Sequence, residues 1–250
     1  MLFIHFKTIF SFSFYYRLLQ LSPKRIVGFV LYLYVLFVAI LFLFCGVLIH
    51  KNLPVFLKNF PQVTFEKGVL TAPEQTVFAQ IPSTDFKIMF DAKATVPPTT
   101  QELLKKNVVV WVNRDGLYIP SGNNLQVQKL PADFNFTSSP DMLEKNKAMI
   151  SASLRASLFI ISLPLVALLL GCDFAMAVGV LLCFNIWKGG LLPKITILKI
   201  AAFLLGPLVV LWLVHLWVNI PLFALTQLIL CIIYAQQILN AQPEVFHYEN

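Results

Sequence analysis

Polar side chains that could do chemistry are few in the second half of this chain, and they lie inside long apolar stretches. Asp173 is the only acidic residue between Glu144 and Glu244. An ionisable group at membrane depth is by default a candidate functional residue. We therefore predict a polar site within the apolar region, with the candidate members Asp173, Asn185, His215 and Gln227.

Most of these residues also have a simpler structural interpretation. Aspartate is a good N-cap, so Asp173 can be explained as the cap of a helix that begins at Phe174. His215 could relay protons, or its ring could lie among interfacial aromatic side chains such as Trp212. Hydrogen bonding between helices explains Gln227 without a transported substrate. The sequence leaves these alternatives open.

No residue pattern of the chain indicates an enzyme. No histidine occurs between His50 and His215, so the polar region contains no Ser/His/Asp set. A phosphate-binding glycine loop and an H-x-x-x-H pattern are also missing. The four cysteines fall in or beside apolar stretches without metal-ligand spacing, which is typical of packing residues. We predict no catalytic residue, no cofactor and no metal.

The elements that must position the candidate site are apolar enough for a bilayer. Hydrophobic residues make up 58% of the chain and charged residues 12%, against about 25% charged in a soluble domain. Residues 26–49 form an unbroken apolar run, which gives about 36 Å of helix. Because a hydrocarbon core is about 30 Å thick, and no small-residue cleavage site follows the run, we predict a retained transmembrane helix there.

Charge distribution indicates the lipid bilayer as a partner and argues against nucleic acid. The formal charge is +7, but the basic residues flank apolar runs, as Lys24, Arg25, Lys188 and Lys194 do. The polar region is nearly balanced and shows no basic groove. By the positive-inside rule, residues 1–25 form a basic segment on the cytoplasmic side. This segment is either an amphipathic stretch that lies in the headgroup region or a frayed tail next to the membrane. Residues 50–150 then lie outside the cytoplasm.

The polar region 50–150 has the pattern of β structure. Residues 63–70 predict a hairpin in which Gly68 supplies a positive φ at the turn. Residues 76–81 and 86–90 predict short strands, and residues 107–112 predict a strand that turns at 113–116 into residues 117–119. Residues 125–130 are expected to pair with that hairpin. We predict an antiparallel sheet of five or six strands.

The number of helices in residues 151–240 is open from the sequence. Residues 200–218 and 222–239 are two good spans, but 156–187 can be one long crossing or a tight pair. The Gly171-Cys172-Asp173 sequence and the total length favour a pair, giving five helices in all. The basic loop after residue 187 should be cytoplasmic, which requires one net crossing and therefore four helices. We favour five; residues 241–250 form a polar tail.

Several of these features together resemble a known family. They include the sequences around Tyr15 and Lys24, the strand pattern over 60–70, the apolar strand 88–91 that ends in an acid, and the two final spans. The chain resembles the bacterial domain-of-unknown-function family 1189, some of whose members are labelled maltodextrin utilisation proteins. Its helical region is more distantly similar to Yip-type multispan membrane proteins. The resemblance implies a topology and brings no catalytic residues.

These observations predict an α+β protein of the bacterial inner membrane, a polytopic bundle of four or five transmembrane helices. An antiparallel β-rich extracytoplasmic insert follows the first helix. The functional hypothesis is a non-enzymatic protein that presents this insert to a membrane or envelope partner. The alternative is a transporter, or an accessory component of sugar transport.

Overall fold

The computed structural model describes residues 2–12, 15, 20–94, 96, 98–190 and 192–240. The tail predicted for 241–250 and most of the stretch 13–17 used for the family resemblance lie outside the described residues. The chain is an α+β protein, and within the described ranges it has six helices and eight strands. The helices are α1 Leu2–Phe10, α2 Pro23–Lys58, α3 Thr100–Lys105, α4 Pro140–Trp187, α5 Lys194–Val218 and α6 Phe223–Asn240. The strands are β1 Thr64–Glu66, β2 Val69–Ala72, β3 Val77–Gln80, β4 Lys87–Asp91, β5 Val108–Asn113, β6 Gly116–Ser121, β7 Asn124–Gln128 and β8 Phe136–Thr137.

The chain divides into two compact units. One unit comprises Met1–Leu43 together with Leu158–Asn250, and the elements described in it are helices. The other unit is Phe44–Ser157, which contains all eight strands. The four helices α2, α4, α5 and α6 are long and apolar enough to cross a membrane. This confirms the prediction of several apolar spans at the level of length and composition.

The preference for five helices is wrong in the described part of the chain. Residues 156–187 do not form a pair of spans, because α4 runs without interruption over 48 residues. Gly171 and Asp173 weaken a helix by only about 1 kcal/mol or less each. Long apolar stretches on both sides of these residues continue the same helix. The described residues therefore contain four candidate spans, the number that the positive-inside rule required.

Two helix boundaries also differ from the predicted domain limits of 49/50 and 150/151. Helix α2 continues past Ile49 to Lys58 and accommodates Pro54 in its interior. Helix α4 begins at Pro140, where proline is favoured because the first helical N–H needs no partner. The side chain of Ser139 accepts a hydrogen bond from the backbone N–H of Met142 at 3.2 Å, which caps this start.

The helical unit packs around α5. In its most apolar window, 61% of α5 is buried, about twice the share in each of the other long helices. The Tyr34 hydroxyl of α2 donates to the backbone carbonyl of Leu163 in α4 at 3.1 Å. The N-terminal helix α1 packs against α5, and its Ile9 carbonyl accepts a hydrogen bond from the Tyr234 hydroxyl of α6 at 2.5 Å. Helix α1 is therefore part of this helical core.

The strand unit contains two sheets. The smaller sheet has the order β2-β1-β8, and the larger has the order β3-β4-β5-β6-β7. The predicted hairpin over 63–70 is confirmed as β1–β2, with Lys67 and Gly68 both at positive φ in a two-residue turn. The predicted pairing of 125–130 with the next hairpin is also confirmed, since β7 pairs with β6.

The prediction of a single antiparallel sheet is wrong. Strands β4 and β5 pair in parallel, so the larger sheet is mixed. Parallel neighbours need a crossover connection, and α3 lies within it. Thr99 caps α3 by accepting from the Glu102 backbone N–H, and the Thr99 N–H donates to the Glu102 side chain. These hydrogen bonds from Thr99 lower the pKa of Glu102 from its ordinary value.

Apolar side chains cover both faces of the larger sheet. One face packs against the smaller sheet through a cluster that includes Phe65, Leu70, Phe90 and Val112. On the other face, Leu103 of α3 packs on Trp111 and Tyr118. The strand unit thus has a hydrophobic core of its own, which is the requirement for an independently folded domain.

Candidate functional site

Asp173 lies in the interior of α4 and is 4% exposed. The interpretation of Asp173 as an N-cap for a helix starting at Phe174 is therefore wrong. A cap stands at the first turn, and α4 begins more than thirty residues earlier, at Pro140. The carboxylate is a buried polar group, and its two oxygens require hydrogen-bond partners.

The partners of Asp173 come from two other helices. The side-chain amide of Gln227 in α6 donates to Oδ1 of Asp173 at 3.1 Å. The indole Nε1 of Trp212 in α5 donates to Oδ2 at 2.9 Å. The carboxylate therefore joins α4, α5 and α6 at one point, and we name Asp173, Trp212 and Gln227 the polar clamp. The structure brings two of the four predicted site residues, Asp173 and Gln227, into direct contact.

Aromatic rings enclose the polar clamp. Trp212 packs on Phe223 with ring centroids 4.4 Å apart and on Phe37 of α2 with centroids 6.1 Å apart. His215 stacks on Phe223 at 4.1 Å and meets the edge of Trp212 at 6.0 Å. The Nδ1 atom of His215 is buried without a hydrogen-bond partner among the described residues. The structure thus places His215 beside the clamp and in an aromatic stack, without a hydrogen bond to Asp173.

The polar clamp lies at one level of the helical unit. Counted from the start of α2, Phe37 is about 21 Å along the helix axis. Counted from the ends of α4 and α6, Asp173 and Gln227 are each about 20 Å along their axes. Lys24 lies at the start of α2, and Lys188 follows the end of α4. The clamp is about 20 Å from the basic ends along α4 and α6, but Gln227 is only about 6 Å from the start of α6 and Trp212 only about 9 Å from the end of α5.

Asn185 does not belong to this cluster. Its side chain donates to the Leu192 carbonyl at 3.2 Å and accepts from the Leu192 N–H at 2.8 Å. Its own carbonyl accepts from the Gly190 N–H at 2.7 Å. Asn185 therefore fixes the connection between α4 and α5, at the basic end of the helical unit. Its role in the structure is that of a loop anchor.

Sequence reasoning missed Trp212 as a member of the site. It considered Trp212 only as a neighbour of His215, whereas the indole N–H is one of the two donors to Asp173. The available signal was chemical: a buried indole needs an acceptor, and Asp173 is the only acidic residue between Glu144 and Glu244. Among the described residues, no group of three or more His, Cys, Asp or Glu side chains could hold a metal ion.

The clamp can do two things chemically. A carboxylate that accepts from two neutral donors can hold three helices in register, because each broken bond would leave a buried polar group unpaired. The same carboxylate could exchange a proton or hold a cation if a path reached it. No family model matches the chain, and no curated protein or solved structure matches it. The resemblance to family 1189 therefore stays a prediction.

Proposed function

We propose that this chain is a multi-pass protein of the bacterial inner membrane that presents its strand unit, outside the cytoplasm, to a protein partner of the envelope. We propose no catalytic activity for it. The observation that carries the proposal is a domain with its own core, Phe44–Ser157, inserted between two helices that are long and apolar enough to span a bilayer. Membership of family 1189 is part of the same proposal.

A four-helix topology satisfies the charge rule along the whole chain. With Lys24 and Arg25 on the cytoplasmic side, α2 leads outward and α4 leads back. The connection from Lys188 to Lys194 is then cytoplasmic, the turn at 219–222 is outside, and α6 returns to the cytoplasmic side. The basic loop therefore no longer conflicts with the number of crossings.

The edge strand β7 is the surface best suited to a protein partner. It lies at the end of the larger sheet in the described part of the chain, and four of its five residues are exposed. Natural edge strands are usually protected by lysine, proline or a bulge. The β7 sequence NLQVQ has no charged residue and no proline, and its pairing with β6 is regular. We propose that an extended segment of the partner pairs with this edge.

The hairpin geometry gives a selective way to block this edge. Strands β6 and β7 are joined by the two-residue turn Gly122-Asn123, so Ser121 and Asn124 form the closing hydrogen-bonded pair. Hydrogen-bonded and non-hydrogen-bonded pairs then alternate along the hairpin, and the pair of Tyr118 with Val127 is non-hydrogen-bonded. The backbone N–H of Val127 therefore points away from β6 and toward the open edge. Val127→Pro therefore removes a donor from the edge while the β6–β7 hydrogen bonds remain.

Site-specific crosslinking in intact membranes tests the proposal. A photo-crosslinking residue at Gln126 should give one discrete protein adduct, and the same residue at Phe78, on the opposite edge strand, should not. Val127→Pro should remove the adduct, whereas Val127→Thr, which keeps the N–H, should retain it. An adduct that persists with Val127→Pro, or no adduct at Gln126, would contradict pairing at this edge.

The polar clamp favours transport as a second candidate function. Its motivation is a carboxylate that is buried among apolar helices and accepts a hydrogen bond from Gln227. In this case, the uptake of a labelled maltodextrin should depend on the chain, and Asp173→Asn should abolish it. Unchanged uptake with Asp173→Asn would remove this candidate.

A further inference from the structure

An apolar groove runs along the surface of the helical unit between α2, α4 and α5. Its volume is about 660 Å³. Its lining includes Ile26 and Tyr34 from α2, Gly171 from α4, and Ala202 from α5. Among the described residues that line the groove, Lys199 of α5 is the one with a charged side chain. A groove of this composition has almost no polar group to recognise a water-soluble ligand.

The length of the groove matches one leaflet of a bilayer. Its lining on α2 extends from Pro23 to Tyr34, which is about 16 Å along the helix. On α5 the lining from Ile195 to Leu205 covers about 15 Å. Half of a hydrocarbon core is also about 15 Å. The groove can therefore hold one extended acyl chain over the depth of a single leaflet.

Space for such a chain is created by small residues on α4. A Cβ atom added at Gly171 would meet no atom within 4 Å, so the groove is open at this position. Ala167, one helical turn earlier, also lines the groove and is exposed. Larger side chains at these two positions would therefore occupy space in the groove.

Positive charge is concentrated at one end of the groove, where α2 and α5 both begin. Lys199 lines the groove about 7 Å along α5 from its start. The exposed Lys24 and Lys194 lie on the first turns of α2 and α5, beside lining residues. Helical side chains lean toward the helix N-terminus, so lysines here direct their amines toward the headgroup level. Two helix N-termini add partial positive charge at the same place. This end of the groove is complementary to an anionic headgroup.

We propose that the groove between α2, α4 and α5 binds an anionic glycerophospholipid from the cytoplasmic leaflet. One acyl chain lies in the groove, and the phosphate lies at Lys24, Lys194 and Lys199. The proposal rests on the membrane placement given above, and it assigns a specific lipid site to that placement.

Lipid retention by the purified full-length protein tests the site. The protein, solubilised in a mild detergent, is incubated with equal amounts of phosphatidylglycerol and phosphatidylcholine, and retained lipids are counted by native mass spectrometry. One phosphatidylglycerol should be retained in preference to phosphatidylcholine. Gly171→Leu should abolish retention of both lipids. The matched control is Gly179→Leu, because Gly179 lies on the same helix, also has open space around it, and does not line the groove.

Charge variants separate headgroup recognition from acyl-chain binding. Lys199→Gln and Lys24→Gln should each lower the preference for phosphatidylglycerol about fivefold, and added salt should lower it further. Helical content by circular dichroism shows whether each variant is folded. Retention by Gly171→Leu equal to that of Gly179→Leu, or no preference between the two lipids, would overturn the proposal. Failed lipid retention in a protein whose helices are shown to span the bilayer overturns only the groove, whereas a wrong topology overturns the membrane placement itself.

Discussion

At the residue scale, the central feature is a carboxylate with both oxygens in use. Asp173 accepts from Trp212 and Gln227, and each donor comes from a different helix. Hydrogen bonds between apolar helices contribute about 0.6 kcal/mol on average and at most about 1.7 kcal/mol. The loss of one partner matters more, because it leaves the other groups buried and unpaired.

We expect Asp173→Leu to lower the free energy of unfolding by about 1–3 kcal/mol, because it leaves the Trp212 and Gln227 donors without an acceptor. The triple variant Asp173→Leu, Trp212→Phe, Gln227→Leu should recover most of this loss, since an apolar replacement of a buried polar cluster can be nearly neutral. Unfolding by denaturant in detergent, followed by circular dichroism, measures both. A triple variant with a lower free energy of unfolding than Asp173→Leu would contradict the view that the clamp stabilises the protein only through these hydrogen bonds.

His215 gives a second prediction at this scale. A phenylalanine at position 215 keeps the stack on Phe223 and removes a buried Nδ1 that has no hydrogen-bond partner among the described residues. His215→Phe should therefore leave the free energy of unfolding unchanged or raise it by up to about 1 kcal/mol. The same variant is tested in the maltodextrin uptake assay described above. Loss of uptake with an unchanged free energy of unfolding would support the proton-relay interpretation of His215 and contradict the aromatic-packing interpretation.

The candidate site was partly predictable from the sequence, for identifiable reasons. The rarity of acids made Asp173 conspicuous, and Gln227 followed as a polar group on a later helix. Asn185 satisfies the same criteria, yet it anchors a loop through Leu192. Polarity within an apolar stretch therefore indicates a need for partners, but the partners depend on how the helices pack.

At the element scale, local turn chemistry was a reliable guide and pairing direction was not. The Lys67-Gly68 turn has the two positive φ values that such a hairpin requires. The parallel pairing of β4 with β5 depends on α3. The capping signature of α3, Thr99 with Glu102, is present in the sequence, but no helix is predicted there from the sequence. Helices of six residues are too short to show apolar periodicity.

Two glycines at positive φ give a matched pair for testing the hairpins. A Cβ atom at Gly68 would lie 2.5 Å from the backbone carbonyl oxygen of Pro131, whereas a Cβ atom at Gly122 would meet nothing within 4 Å. Gly68→Ala should therefore destabilise the strand unit by more than about 1 kcal/mol. Gly122→Ala, which has the strained φ without the clash, should cost less. If thermal denaturation shows the same loss of stability for Gly68→Ala and Gly122→Ala, the close approach of residues 68 and 131 is contradicted.

At the scale of the whole molecule, the order of apolar and polar segments gave the architecture, and the number of helices needed the structure. Periodicity could not decide between one and two helices over 156–187, because the segment is apolar on all sides. The continuous α4 resolves this in favour of one helix. The same result removes the conflict with the positive-inside rule, which supports a single arrangement of four crossings.

Cysteine accessibility in intact cells tests this arrangement most directly. In a variant without the native cysteines, single cysteines are placed at exposed positions by Asp115→Cys in the β5–β6 turn, Pro221→Cys between α5 and α6, and Lys194→Cys at the start of α5. A membrane-impermeant maleimide reaching the periplasmic face should label the first two in intact cells and the third only after the membrane is opened. Labelling of Lys194→Cys in intact cells, or protection of Asp115→Cys, would contradict a four-crossing protein with its strand unit outside.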